Sequence, residues 1–225
     1  MYHSVDHFRE DPYRITVRPK RFEAQMRWLA RRGLRGVCVR ALLDAQREGT
    51  AQRLVGLTFD DGYADFVTHA LPVLLRHDFT ATVFAVTNLL GGDNAWDPLG
   101  PRKRLMDEGE LRKIAGLGME VGSHTLNHRS LKGSPAALHE EVRASRTALE
   151  EILGDEVHGL AYPYGDQDAA AVEAVRAAGY GYACSIRPSD AGPLSLPRTH
   201  VGDRDRGLRL RAKRTVHRWK WGRAR

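Results

Sequence analysis

Hydrophobic positions along the chain follow two spacings, one typical of buried strands and the other of amphipathic helices. Short β-prone apolar runs predict strands at residues 1–6, 37–39, 54–59, 80–86, 119–123, 159–162 and 180–186. Apolar residues that recur every three or four positions predict helices at residues 20–32, 41–47, 64–77, 110–117, 134–153 and 168–178. Strand and helix therefore alternate through most of the chain.

This alternation predicts an α/β fold in which a parallel sheet closes, or nearly closes, into a barrel. No internal repeat or interdomain linker is visible in the sequence. Residues 1–203 are therefore expected to form a single domain, followed by a tail at residues 204–225.

Three local features modify this pattern. Pro72 predicts a break or kink in the helix at residues 64–77, because proline removes a backbone donor. Ser134 precedes a proline, which predicts a helix N-cap. Residues 91–105 are rich in glycine and proline, carry Trp96, and predict a long loop of functional interest.

Composition is that of a soluble globular protein, with 42% hydrophobic and 28% charged residues among 225. Cys38 and Cys184 lie far apart in apolar surroundings and are expected to be free buried thiols. No signal peptide is visible at the N-terminus, which predicts a cytoplasmic or membrane-peripheral location, or an extracytoplasmic one if a leader has been removed.

The net charge of +7 is concentrated in the tail. Residues 204–225 hold 10 Lys or Arg and a single acid, Asp205, so the rest of the chain is close to neutral. Trp219 and Trp221 lie among these basic residues, a pattern found in membrane-surface segments. The tail at 207–225 is thus a candidate for binding an anionic membrane or polymer. Nucleic acid is disfavoured as a partner because no nucleic-acid-binding motif is present. The alternative is a solvated, partly disordered tail without a binding function.

The most informative stretch is the strand at 54–59 and the residues after it. The strand ends in two adjacent carboxylates, Asp60 and Asp61, followed by Gly62, which allows a tight turn. Neighbouring carboxylates raise each other's cost of ionisation, and a cation or a shared proton relieves that cost. A polar turn that merely ends the strand would have the same local sequence.

Two further strands also end in polar residues, 123–128 (Ser-His-Thr-Leu-Asn-His) and 162–165 (Tyr-Pro-Tyr-Gly). The C-terminal ends of parallel strands share one face, so these segments are expected to meet the Asp pair. His124 and His128 are four residues apart and can reach one ion. Two histidines with one carboxylate leave a coordination position open, which is typical of a catalytic zinc site, whereas two unrelated surface histidines are the alternative.

Together, 58–62 (Thr-Phe-Asp-Asp-Gly), 123–128 and 162–165 resemble, in order and separation, three motifs of the polysaccharide deacetylases, carbohydrate esterase family 4. The resemblance covers about residues 2–201. It implies a distorted (β/α) barrel of about seven strands and hydrolysis of N- or O-acetyl groups on sugars.

The resemblance also implies a role for individual residues. Asp61, His124 and His128 would bind a divalent metal, usually Zn2+, and Asp60 would be the general base. The backbone N–H of Tyr164 would contribute to the oxyanion hole. Such a metal activates water and polarises the acetyl carbonyl, and a neighbouring carboxylate accepts the proton.

The chain departs from the family pattern at two points. Ala161 occupies the position where many members carry an arginine that orients the base, and Arg198 is the candidate replacement. The late motif that supplies the general acid is unclear, so His3 and His200 are both candidates. His3 is preferred, because Tyr2-His3 resembles the opening of a subgroup that includes biofilm poly-N-acetylglucosamine deacetylases.

Pro163 and Trp96 are the candidates for contact with the substrate, although Trp96 could equally anchor the loop. The expected function is metal-dependent removal of N-acetyl groups from amino sugars of a polysaccharide or lipid-linked glycan. The alternatives are a hydrolase of a non-sugar amide or O-acetyl ester on the same fold, and a catalytically weak glycan-binding protein.

Overall fold

The computed structural model describes residues 1–133 and 135–221. In chain order, its strands are β1 (Ser4–Val5), β2 (Thr16–Val17), β3 (Arg35–Val37), β4 (Leu54–Gly56), β5 (Thr58–Phe59), β6 (Thr82–Ala85), β7 (Glu120–Ser123), β8 (Gly159–Ala161), β9 (Tyr182–Ser185) and β10 (Leu196–Pro197). Its α-helices are α1 (Pro19–Ala30), α2 (Val39–Arg47), α3 (Leu71–Arg76), α4 (Glu108–Gly116), α5 (Pro135–Leu153), α6 (Ala169–Ala177) and α7 (Gly207–Trp221).

The main sheet is parallel and curls into a barrel. Strands β5, β6, β7, β8, β9 and β10 are hydrogen-bonded in that order. The N-terminal segment lies between the two ends of the sheet: the backbone N–H of Tyr2 donates to the Thr58 carbonyl at 2.8 Å, and that of Val201 donates to the Met1 carbonyl at 2.9 Å. The predicted α/β fold, a distorted (β/α)7-type barrel in one domain, is confirmed.

The apolar run at residues 54–59, expected to be one strand, forms two. β4 pairs with β3 in a small separate sheet, whereas β5 belongs to the barrel. Leu57 is where the chain changes partner, because its N–H donates to the Val37 carbonyl and its carbonyl accepts from the N–H of Thr82. The division brings β5 into the barrel with the Asp pair directly at its C-terminal end.

An aromatic cluster fills the barrel wall beneath this strand. The ring of Phe59 is 4.8 Å from that of Phe66, 5.2 Å from that of Tyr2 and 5.7 Å from that of Phe22, measured between centroids. All four side chains are buried. Since Tyr2 and Phe22 come from the N-terminal segment and α1, the cluster fixes both against β5, and burial of such large rings dominates core energetics.

The helix expected at residues 64–77 is interrupted before Pro72. A π-helical turn at Phe66–Ala70 leads into α3, in which Pro72 lies in the first turn, where no intrahelical N–H is needed. The predicted break is therefore present as a change of helix type. The predicted N-cap at Ser134 lies outside the described residues.

Residues 207–221 of the basic tail form the helix α7. The helix lies against α1, and Asp205 and Gly202, just before it, accept hydrogen bonds from the buried side chain of Gln25. In the described residues, no helix is both long and apolar enough to cross a membrane. The division of the chain at residue 203 stays a prediction.

Candidate active site

The C-terminal ends of β5, β7 and β8 bring the polar residues of all three motifs to one end of the barrel. Asp61 Oδ1 lies 3.3 Å from His124 Nε2 and 3.3 Å from His128 Nε2. The three side chains are buried, and one ligand atom from each lies within 4.8 Å of the others. Among the described residues, this is the group of His, Cys, Asp and Glu side chains that could hold a metal ion.

Unusual backbone conformations aim these side chains. Asp61, Thr125, His128 and Tyr164 have φ angles of 73°, 69°, 57° and 59°, in the left-handed region that non-glycine residues seldom occupy. Such conformations cost on the order of 1–3 kcal/mol each and cluster at functional sites. After Asp61, Gly62 approaches β6 so closely that an added Cβ would lie 3.3 Å from the Ala85 Cα.

Each histidine is oriented through its second ring nitrogen. His124 Nδ1 is 2.7 Å from the Ala161 carbonyl oxygen, which can only accept, so Nδ1 carries a proton and Nε2 faces Asp61. His128 Nδ1 is 3.2 Å from the Tyr164 hydroxyl. The Trp96 ring stacks on His128, with centroids 4.4 Å apart.

The pKa values of the ionisable groups at this site are shifted from their usual values. Burial acts to raise the pKa of Asp61, but hydrogen bonds from His124 and His128 together outweigh it and hold the pKa well below its usual value. Burial lowers the pKa of His128, and the opposing effect of Asp61 does not restore it. Burial also acts to lower the pKa of His124, but its hydrogen bond to Asp61 and the charges of Asp60 and Asp61 outweigh burial and raise this pKa. The site thus combines an ionised carboxylate with two histidines whose pKa values are shifted in opposite directions.

Asp60 is held by an arginine from a distant part of the chain. Both terminal nitrogens of Arg198 donate to the Asp60 carboxylate, Nη2 at 2.8 Å from Oδ2, and the two side chains are 6% and 4% exposed. Burial raises the pKa of Asp60, but Arg198 and His124 more than compensate, so the pKa is lowered. The structure thus places Arg198 where the sequence leaves Ala161 without an orienting side chain, and its role there stays a prediction.

The two candidate general acids occupy different positions. His3 lines the cavity together with Asp60 and Asp61, and its Nδ1 is buried without a hydrogen-bond partner among the described residues. His200 lies beside His3, with ring centroids 6.1 Å apart, but is not among the residues that line the cavity. Burial, followed by the charge of His3, lowers the pKa of His200 to about 4.

The cavity above these residues has a volume of about 320 Å³. Tyr13, Trp96 and Tyr164 line it, as does Arg198, which bonds Asp60. Pro163 is buried in the turn that carries Tyr164, so it positions the wall and does not itself line the cavity. The predicted site residues, with the exception of Pro163 and His200, therefore lie around one opening.

Tyr13, Asp97 and the Ala161 carbonyl were not anticipated from the sequence. The cavity wall includes Asp97, whose pKa is raised to about 6, first by burial and then by the charge of Asp61. Its position directly after Trp96 in the Gly- and Pro-rich loop was the available signal. The Ala161 carbonyl, which orients His124, is a backbone group and carries no sequence signal.

Comparisons with known proteins point to one family. The family model described as polysaccharide deacetylase matches residues 47–183. The Bacillus subtilis (strain 168) protein YxkH, whose name assigns it to the polysaccharide deacetylases, is 27% identical over 208 residues, 89% of this chain and 70% of that protein.

A poly-beta-1,6-N-acetyl-D-glucosamine N-deacetylase of Staphylococcus aureus (strain MSSA476) is 24% identical over 203 residues, 84% of this chain and 68% of that protein. Among solved structures, the deacetylase PplD of Streptococcus pyogenes in complex with acetate superposes with a TM-score of 0.79 at 23% identity, covering 94% of this chain and 95% of that one. At this identity, the structural match shows a shared fold.

Proposed function

The chain belongs to the polysaccharide deacetylase family, whose model matches more than half of it, and on that premise we propose that it removes N-acetyl groups from the amino sugars of a glycan in a reaction that depends on a divalent metal. The observation that carries this proposal is the pairing of two differently held carboxylates: Asp61 faces two histidines, and Asp60 is clamped by Arg198.

Asp61, His124 and His128 have the chemistry to hold the metal. Their three facing atoms provide one oxygen and two nitrogens, a set that suits zinc and leaves room for a further ligand. The hydrogen bond from His124 Nδ1 to Ala161 leaves Nε2 free to coordinate. When bound, a divalent ion supplies the acidity that activates water and the positive charge that polarises an acetyl carbonyl.

Asp60 is suited to be the general base. Arg198 keeps its carboxylate ionised and fixes its orientation, so that the carboxylate can accept a proton from a water molecule attacking the acetyl carbon. Because both oxygens are engaged by the guanidinium, the carboxylate cannot rotate away. The Asp60 carboxylate lines the same cavity as Asp61, His124 and His128.

His3 is suited to protonate the departing amine. It lines the cavity together with Asp60, and its buried Nδ1 has no partner among the described residues. His200 is the poorer donor, because its lowered pKa keeps it neutral near pH 7 and it lies behind His3. The Tyr164 N–H is proposed to stabilise the oxyanion, a contribution of about 3–4 kcal/mol where one such donor has been removed in other hydrolases.

A glycan built of N-acetylglucosamine is the substrate class that we favour. The open cavity has aromatic side chains in its wall, Tyr13, Trp96 and Tyr164, which offer flat apolar faces beside polar groups. One relative in the polysaccharide deacetylase family is named for poly-β-1,6-linked N-acetylglucosamine. The proposal is made for this class of glycan, and the preferred linkage and chain length are to be measured with oligomers.

The test is acetate release from β-1,6- and β-1,4-linked N-acetylglucosamine oligomers, after chelation and with zinc added back. We expect zinc-dependent release from the wild type, and a loss of at least about 10²-fold in kcat for Asp60→Asn while zinc is still bound in equilibrium dialysis. Asp166→Asn is the matched control, since this carboxylate lies outside the cavity lining and bonds Ser130.

Failure of zinc to bind would overturn the ligand assignment. Tight zinc binding without release from any oligomer would overturn the sugar substrate and leave a non-sugar amide or an O-acetyl ester. Retention of full activity by Asp60→Asn would overturn the assignment of the base.

A further inference from the structure

Helix α7 attaches to the barrel through one of its two faces. Lys213 Nζ donates to the His200 carbonyl at 2.7 Å and to the Asp205 carboxylate, and the His217 Nδ1 is 2.9 Å from the Thr199 hydroxyl oxygen. Leu210 and Trp221, on the same face as Lys213 and His217, are also partly covered. This face anchors α7 beside the end of β10.

The opposite face of α7 presents apolar side chains to solvent. Leu208 is 84% exposed, Val216 48% and Trp219 74%. With the exposed Ala212 and Thr215 they recur at intervals of three and four residues, so they form one continuous surface, called here the outer stripe. An amphipathic helix packed on its own domain usually turns its apolar face inward, whereas α7 leaves Leu208, Val216 and Trp219 exposed.

Basic side chains border the outer stripe on both sides. Helical spacing places Arg209 and Lys220 along one edge and Arg211 and Arg218 along the other, and all four are exposed. Lys213, on the attached face, is the basic residue of α7 that forms a salt bridge within the described part of the chain. The helix itself contains no acidic residue, so its outward charge is uncompensated.

We propose that α7 docks on the surface of an anionic lipid membrane. An apolar centre containing Trp and Leu, flanked by Arg and Lys, matches the boundary between acyl chains and negatively charged headgroups. An anionic polymer or a nucleic acid would use the charges but would leave the outer stripe in water, which is why the membrane is favoured. The docking does not depend on the activity of the barrel.

The test is sedimentation of the full chain with vesicles of phosphatidylcholine alone or mixed with phosphatidylglycerol, at low and high salt. We expect binding to the mixed vesicles, weakened by salt, and little binding to phosphatidylcholine alone. Leu208→Ser/Trp219→Ser should reduce the partition coefficient by about tenfold or more, because the stripe no longer inserts. Leu75→Ser/Leu117→Ser, on other exposed apolar positions, is the matched control and should bind like the wild type.

The flanking charges are tested separately. Arg211→Glu/Arg218→Glu should weaken binding by about 30-fold or more, since each basic residue near such a surface contributes about fivefold. Lys113→Glu/Arg143→Glu changes the net charge equally on exposed residues of α4 and α5 and should have a far smaller effect. Circular dichroism and thermal unfolding establish that each variant remains folded.

Two outcomes would overturn the proposal. In the first, the outer-stripe variant binds vesicles like the wild type, the charge variant does not, and the wild type binds heparin or duplex DNA equally well. This result would assign α7 to a polyanion. Binding to neither vesicle type at low salt would remove the membrane altogether.

Discussion

Replacing Arg198 by methionine, which has a similar stem but no charge, would test what holds Asp60. In the structure, the guanidinium donates twice to the Asp60 carboxylate and once to the Thr58 hydroxyl, 3.3 Å away. Both members of the pair are almost fully buried. The variant Arg198→Met would therefore leave a buried carboxylate without its main counter-charge.

The expected loss in the free energy of unfolding is about 3 kcal/mol, the lower end of the range of roughly 3–5 kcal/mol found when one member of a buried ion pair is removed. The lower end applies because His124 and His3 also lower the pKa of Asp60. In the variant they still offset part of the cost of burying this charge. Asp60→Asn/Arg198→Met removes both charges, so its stability should lie within about 1 kcal/mol of the wild type.

Urea unfolding near pH 7 in a chelator measures these differences without a contribution from bound metal. Tyrosine and tryptophan fluorescence and far-UV circular dichroism should report one transition for each variant. A double variant as unstable as the sum of its two single variants would refute the argument, because the charges would then contribute independently.

The same pair predicts a pH dependence. The pKa of Asp60 is lowered in the folded state, so its contribution to stability is present above its unfolded pKa of about 3.9 and is lost as the pH falls through the folded pKa. In Arg198→Met the largest counter-charge is absent. Burial then raises the pKa of Asp60 in the variant, so the stability difference between wild type and variant should be greatest near neutral pH and shrink as the pH falls from the variant's folded pKa towards that of the wild type.

Two smaller changes test other parts of the structure. His3→Ala should lower kcat for acetate release from an N-acetyl substrate by about 10²-fold or more. His200→Ala should lower it by less than about tenfold, because of the two histidines only His3 lines the cavity. Equal losses in the two variants would contradict the assignment of the acid. Asp107→Ala should lower the free energy of unfolding in urea by about 1 kcal/mol. The Asp107 side chain accepts a hydrogen bond from the Glu110 N–H and completes the capping box of α4. An unchanged midpoint of urea unfolding would show that the cap contributes nothing.

Much of the fold could be predicted from local patterns. Helix and strand alternate where the spacing of apolar residues changes, and the predicted bounds lie within a few residues of those observed for α1, α6, β6 and β7. These elements form where local preference and final burial agree. That the Asp pair and the two histidines lie together was also expected, because polar motifs at the ends of parallel strands meet at one end of the barrel. The choice of Asp61 rather than Asp60 beside the histidines came from the resemblance to the deacetylase motifs.

The tertiary structure decided what depends on distant partners. Arg198 was the sequence candidate for orienting Asp60, 138 positions away, but only the fold shows that both of its terminal nitrogens donate to that carboxylate. Leu57 divides an apolar run between two sheets because its N–H and carbonyl have partners on different strands, a choice that side-chain spacing does not encode. The same holds for His3, whose place in the cavity depends on the N-terminal segment closing the barrel.

Helix α7 shows the division between the two sources of information. The sequence by itself determined its charge and its tryptophans, which follow from composition alone. Only the structure decided which face is anchored and which is exposed, because Lys213 and His217 bond to Thr199, His200 and Asp205 from a neighbouring part of the fold. Local sequence encodes which residues share a face, whereas the direction of that face is set by the partners that cover the other one.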